Sequence, residues 1–376
     1  MKIYLDNAAT TKIDSRVAEA MMPYLTEHFG NPSSLHSFGR DSRSAIEKAR
    51  KKISALLGTQ PANLFFTSGG TEADNQAIIS TIVAHKIPRA ISSPLEHHAV
   101  LQTLEQLHKN GQVELKLLEV DKQGNFNQAQ LSNWMEEVPQ SFVSLMQANN
   151  EIGNIYPVEE IAAEVKDRGG FFHSDTVQTT GRLRHDLAQW KTDFMVGSAH
   201  KFHGPKGIGF LALRQDVKIP AYIYGGSQER NMRGGTENLM SIVGMAEAFE
   251  ISITELDTNR KHIEGLKNRM KELIVAGIPG VGFNGRSAES DSMYTILNVS
   301  FPESESGEML LFNLDINGVA ASGGSACSSG SEIGSHVLRG IGANPARASV
   351  RFSFSKFNTM EEVEHTAALL CRLYSK

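Results

Sequence analysis

Between residues 60 and 215 short apolar runs recur with helical stretches between several of them, and this alternation limits the possible folds more than any other feature. LFF (64–66), AIS (90–92), ELKLLEV (114–120), FVSLM (142–146), FFH (171–173), FMV (194–196) and IGFLAL (208–213) read as strands. Residues 73–85, 98–109 and 156–168 carry helical spacing. Strands that alternate with helices predict an α/β domain with a largely parallel sheet. Open sheets of this kind bind ligands beyond the carboxyl ends of their strands. Polar, Gly-rich and His-containing segments directly after an apolar run are therefore candidate site loops.

From 244 to about 275 the spacing becomes helical and long. Phe249, Ile253, Leu256, Ile263, Leu266, Met270 and Leu273 predict one helix, stopped by AGIPG at 276–280. A chain of 376 residues holds about two domains at roughly 100–200 residues each. The boundary is placed in this helix. Residues 1–12 are expected to pack as an N-terminal segment against the smaller domain, residues 13–250 to form the large domain, and 251–376 to form a small α+β domain. The small domain takes in TILNVSF (295–301), SVRFSFS (349–355) and the stretch 359–374.

Composition excludes several functions. With 37 basic and 42 acidic residues the net charge is −5, which is no footprint for direct nucleic-acid binding. No apolar run approaches the roughly 18 residues of a membrane span. Asp6 and Asn7 fall where a signal peptide needs its apolar core, so a cytoplasmic protein is expected. The two cysteines, Cys327 and Cys371, cannot build a disulfide framework, and no zinc-type spacing occurs, so no metal site is expected.

Six segments could carry chemistry. TSGGTEADN (67–75) is a Gly-rich turn feeding a helix, where free backbone N–H groups suit a phosphate. The plainer alternative is a capped turn, with Thr71 as N-cap and Asp74 three residues on. SAHKFHGPKGIGF (198–210) sets Lys201 between His and small residues, where a depressed pKa would make its amine a nucleophile. The alternative is a surface turn carrying Lys201 and Lys206. In HSDTVQ (173–178), Asp175 follows a buried strand and could hold a proton on a heterocyclic nitrogen, or could cap the next helix. His97 in LEHHAV (95–100) could stack on a ring, and Asn150 in NNEIG (149–153) could bind a phenolic oxygen or a carboxylate. GGSACSSGS (323–331) specifies a mobile loop around Cys327, which suits a thiolate that travels to its substrate, whereas Cys371 in HTAALLCRLY reads as helix packing.

Taken in order, with YLDNAATT (4–11), FGNPSSLH (29–36), RGGTEN (233–238), SHVLRGIG (335–342) and SVRFSFSKF (349–357), these motifs run nearly end to end. The set resembles the cysteine desulfurases of the NifS/IscS type, fold-type I pyridoxal 5'-phosphate enzymes related to class-V aminotransferases. The resemblance implies a large domain that binds the cofactor and a small one that carries the cysteine loop. It implies Lys201 as the lysine that tethers the cofactor, Asp175 as partner of the pyridinium nitrogen, and His97 as the stacking ring. Gln178 and Asn150 would lie near the phenolic oxygen, and Gly70, Thr71, Ser198 and His200 would hold the phosphate. Thr236 would reach the phosphate of a neighbouring subunit, making an obligate homodimer with shared sites.

The resemblance also implies Arg351, helped by Asn31 and Asn150, as the grip on the substrate carboxylate. Alternation in SVRFSF agrees, setting Val350, Phe352 and Phe354 on one face and Arg351 with Ser353 on the other. A planar fork suits a carboxylate. The implied reaction converts L-cysteine to L-alanine. Lys201 acts as base and His97 as proton shuttle, and Cys327 takes the sulfur as a persulfide. An acceptor protein such as an Fe–S scaffold or a tRNA-thiolation enzyme then receives it. The departures are Lys356-Phe357, where many relatives have Arg-Phe, and a segment 328–336 without the proline often found before Ser-His. The second bears on loop motion and acceptor choice. Rival readings are a selenocysteine lyase or related lyase or aminotransferase, and a non-catalytic sulfur-relay scaffold. An intact Lys201 and Asp175 argue against the scaffold, and the mobile thiol argues against a transaminase.

Overall fold

The computed structural model describes residues 1–304, 307, 309–323 and 334–374, so Cys327 lies outside the described residues. Among the described residues the largest sheet has seven strands. Their spatial order is Leu64–Thr67, Gly209–Leu213, Phe194–Ser198, Phe171–Asp175, Ser141–Ser144, Arg89–Ser92 and Glu114–Leu117. All run parallel except Gly209–Leu213, which is antiparallel to both of its neighbours. The reason is the short connection from Ser198 to Gly209. It holds only the turn Ala199–Lys201 where a parallel return needs a crossover of a dozen or more residues. That tight reversal sets Lys201 at the carboxyl end of a central strand.

Alternating side chains feed a core on each face of the sheet. Phe65, Phe142, Phe194 and Val196 pack with Ile78 and Val100 on one side. Phe66, Met195 and Phe210 pack with Ile46 and Phe249 on the other, where Val143 and Phe172 meet Ile161 further along. The helices Gly70–His85, His98–Lys109 and Val158–Asp167 match the three predicted helical stretches. Of the run at 114–120 only Glu114–Leu117 is strand, at the sheet edge.

A separate antiparallel sheet joins Ser349–Ser353, Ile296–Ser300 and Gly282–Phe283. Val350, Phe352 and Phe354 are buried against the helices Leu256–Gly277 and Met360–Tyr374, and Ile3 and Leu5 enter the same core. Ile3–Tyr4 pairs in parallel with Val319–Ala320. The single long helix expected over 244–275 is two, Leu239–Thr254 and Leu256–Gly277. They meet at Glu255 (φ −93°, ψ 6°), whose carboxylate is tied to Arg16 at 2.6 Å and Lys356 at 3.1 Å.

Candidate functional site

At the carboxyl ends of the parallel strands lies a cleft of about 230 Å³. It gathers Gly70, Thr71, His97, Asn150, Asp175, Gln178, Ser198, His200, Lys201 and Arg351, which come from ten positions spread over nearly three hundred residues of sequence. Two candidates lie elsewhere. Thr236 is exposed and lines a different cleft beside Phe66, Ser68 and Arg233. Asn31 is exposed on a loop, its side-chain oxygen accepting from Ser33 N at 2.9 Å.

Thr71 is not an N-cap. The helix starts at Gly70 with Gly69 as its cap residue, and no side chain caps it. Glycine is required at 70 because a Cβ there would stand 2.8 Å from Val177 Cγ2. With no side-chain cap, the first-turn N–H groups and the positive end of the helix dipole remain available for an anion, next to Ser198 and His200. Burial, then Lys201 and Lys206, push His200 down to about 4, so it is a neutral ring.

Asp175 closes its strand and accepts from Val177 N at 2.9 Å. Burial raises its pKa, opposed by the nearby His97, the Val177 N–H and Lys201. A buried carboxylate of this kind is stabilised by a cation. His97 caps the helix His98–Lys109, with Nδ1 accepting from Ala99 N at 3.1 Å, so its neutral ring carries hydrogen on Nε2. Burial lowers its pKa, with Asp175 opposing.

Lys201 Nζ donates to the carbonyls of Ala8 at 2.6 Å and Ala9 at 2.8 Å. Gln178 Nε2 shares the Ala8 carbonyl at 3.0 Å, and its Oε1 accepts from Arg182 at 2.8 Å. Arg351 is buried, with NH1 on the Asn150 carbonyl at 2.9 Å and NH2 on Asp6 Oδ1 at 2.6 Å. These distances reveal three groups that sequence reasoning did not single out. They are the Ala8 and Ala9 carbonyls, the Asp6 carboxylate, and buried Arg182. Asp74, read in the sequence only as part of a capped turn, also lines the cleft, with Oδ1 3.3 Å from His173 Nε2. Burial drives His173 down to about 3 and Asp74 well up, favouring the neutral form of each. The available signal was a second acidic residue early in a helix and a histidine inside a strand.

Pyridoxal phosphate fits this donor set. The uncapped helix N-terminus with Ser198 suits its dianionic phosphate, Asp175 suits a protonated ring nitrogen, and Lys201 suits its aldehyde.

The class-V aminotransferase family profile matches residues 3–366. A cysteine desulfurase IscS of Dictyoglomus turgidum is 41% identical over 379 residues, covering 100% of this chain and 95% of its own. One from Methanosarcina thermophila is 40% identical over 378 residues, covering 100% and 92%. Among solved structures, a NifS-like protein superposes with a TM-score of 0.91 at 36% identity, both chains being covered in full. SspA, solved in complex with cysteine, superposes with a TM-score of 0.83 at 28% identity over 96% of this chain and 100% of the other. On a profile that spans almost the whole chain, a matching fold and a cleft that suits their cofactor, the chain belongs to the class-V aminotransferases, in the NifS/IscS cysteine desulfurase branch of these pyridoxal-phosphate enzymes.

Proposed function

We propose that this cleft takes L-cysteine, releases L-alanine and delivers the sulfur to Cys327 as a persulfide. The observation that carries the reading is the meeting of the Lys201 amine, the Asp175 carboxylate, the His97 ring and the Arg351 guanidinium in one cleft. Relatives named cysteine desulfurases, and a structural neighbour holding cysteine, support the substrate.

When bound, pyridoxal phosphate supplies an aldehyde that takes up the substrate amine and a ring that absorbs the electron pair left at Cα. Gly70, Thr71, Ser198 and His200 would hold its phosphate, and Asp175 would keep a proton on its ring nitrogen. His97 would cover the ring, and Asn150 and Gln178 would serve its phenolic oxygen. Arg351, with Asn150 and Asn31, binds the substrate carboxylate. Lys201 Nζ would act as the base for the Cα proton. His97 Nε2 holds and passes a proton at the substrate sulfur. The Cys327 thiolate then attacks that sulfur. The S–S bond forms as the Cβ–S bond breaks, the bonding pair stays with carbon, and protonation at Cβ together with return of a proton to Cα gives alanine.

The working unit is a homodimer in which Thr236 serves the partner's site. Thr236 stands apart from its own chain's cleft, and Leu25, Phe29, Leu35 and Phe38 are exposed, Leu35 at 91%, with the Phe29 and Phe38 rings 5.6 Å apart. The persulfide passes to an acceptor protein of the Fe–S scaffold or tRNA-thiolation kind. The working place is the cytoplasm. No helix among the described residues is long and apolar enough to cross a membrane. The two-domain division, with a cofactor domain over 13–250 and a cysteine-loop domain over 251–376, draws support from the separate core around Leu297, Phe352 and Leu370.

The test is incubation of Cys327→Ser with L-cysteine. The variant keeps its cofactor absorbance but gains no sulfur mass. Undiminished sulfur release without added thiol acceptor would remove Cys327 from the reaction.

A further inference from the structure

Arg351 is almost completely buried, at 1% exposure, so its charge cannot be solvated by water and its orientation is set by whatever it bonds. Two of its nitrogens are engaged, NH1 by the Asn150 carbonyl and NH2 by Asp6 Oδ1. The third, Nε, is buried and has no hydrogen-bond partner among the described residues. A buried charged donor without an acceptor is costly, and a persistent one marks a place where a ligand completes the bonding. Arg351 lines the cleft. A carboxylate takes two parallel N–H bonds from one edge of a guanidinium, and NH2 has a second hydrogen beside Nε–H for that purpose.

Asp6 is held firmly enough to aim its partner. Ala9 N and Thr10 N both donate to the Asp6 carbonyl, which closes a turn. Next to it, Ala8 N donates to Ser353 Oγ at 2.8 Å and Asn7 Nδ2 to the Ser353 carbonyl at 2.8 Å. Ser353 is two residues from Arg351 on the same strand and on the same face, so the Asp6 backbone is fastened to the strand whose arginine its side chain grips.

From this geometry we infer that Asp6 is a positioning residue for substrate recognition, holding the far end of the Arg351 fork with the Asn150 carbonyl so that the Nε–NH2 edge is presented to the α-carboxylate of the amino-acid substrate. It rests on the reading of Arg351 as the carboxylate grip. Asp6 also neutralises Arg351 while the cleft has no substrate, so the buried cation is paired at every stage.

The test is equilibrium binding, by calorimetry, of L-alanine and of L-alaninamide, which lacks the carboxylate, to the holoenzyme and to Asp6→Ala, Asp6→Asn and Arg351→Ala. Asp6→Ala weakens L-alanine about tenfold, the scale of one charge-assisted hydrogen bond, and leaves L-alaninamide within about twofold. Asp6→Asn, which keeps an acceptor for NH2, falls between. With L-cysteine the Asp6→Ala effect falls on KM rather than kcat. If Arg351→Ala weakens L-alanine while Asp6→Ala does not, the positioning role is wrong and the Arg351 reading stands. If Arg351→Ala binds L-alanine normally, the Arg351 reading itself fails. Equal weakening of both ligands by Asp6→Ala, or tighter L-alanine binding, also overturns the role of Asp6.

Discussion

Lys201 Nζ lies 2.6 Å from the carbonyl oxygen of Ala8, a residue 193 positions earlier in the chain. The bond brings the N-terminal segment to the mouth of the cleft, where the Ala9 carbonyl and Gln178 join it. Carbonyl acceptors fix where the amine sits when it is not bonded to the cofactor. Replacing Lys201 by Ala removes the amine but leaves two carbonyls facing an open cleft, so the fold persists. Borohydride treatment of Lys201→Ala leaves no reduced pyridoxyl group on the peptide spanning 201, and alanine formation drops at least about 10³-fold, the scale of losing a general base. Peptide mapping and an alanine assay read the two effects. A pyridoxyl group still fixed elsewhere in the variant would show that another amine carries the cofactor.

Thr236 offers a test of shared sites. In a hybrid of one Lys201→Ala subunit and one Thr236→Ala subunit, action across the interface leaves one site doubly altered and the other with Lys201 and Thr236 intact. Hybrids purified with two affinity tags then recover about half of the activity of the unsubstituted dimer. If Thr236 served its own chain, both sites would be damaged and the hybrid would be as inactive as its parents.

How much of this was legible in the sequence depends on how local each cause is. The strand ending at Asp175 and the helix His98–Lys109 follow from spacing, because side chains alternate on strands and recur every three or four residues on helices. Placing Arg351 opposite Val350 and Phe352 needed only that alternation. The break at Glu255 was hidden because one non-helical residue leaves the apolar rhythm from Phe249 to Ile263 in step. What holds the break is a pair of cations, Arg16 and Lys356, far away in sequence. The alternative of Thr71 as a cap fails because the Thr-x-x-Asp pattern does not say whether the helix begins before or after its threonine, and it begins at Gly70 with Gly69 as the cap residue. The grip of Asp6 on Arg351 spans 345 positions, and no local pattern encodes it.

Glu229 ties a strained turn to the large sheet. Glu229, Arg230 and Asn231 have φ of 43°, 56° and 64°, three successive left-handed residues without a glycine. Each costs roughly 1–2 kcal/mol, so the surroundings must hold them. Both Glu229 oxygens do so, meeting Arg50 at 2.7 and 2.8 Å, and one also accepts from Phe66 N at 2.8 Å. Glu229→Ala leaves the buried Arg50 without its main counter-charge and is expected to cost about 3–5 kcal/mol. Glu229→Gln, which keeps one carbonyl acceptor, costs less. Urea denaturation measures both, and an Ala variant within about 1 kcal/mol of the parent would mean that the turn is held by something else.

The buried histidines make the fold acid-sensitive. His185 bonds Gln147 Oε1 through Nε2 at 2.8 Å and sets its ring edge-on to Trp190, with centroids 5.2 Å apart. Burial pushes its pKa from the ordinary 6.5 down to about 3. Between those values the unfolded chain binds a proton that the folded chain does not. Stability from this group is therefore complete above about pH 6.5 and is lost as pH falls toward 3, at up to about 1.4 kcal/mol per pH unit. In His185→Gln, which cannot titrate, the fall in unfolding free energy from pH 6.5 to 5 is expected to be smaller than in the parent by up to about 2 kcal/mol. His173, also driven to about 3, keeps the variant partly acid-sensitive. The check is a pair of denaturation series at the two pH values, and parallel losses in parent and variant would show that His185 does not contribute.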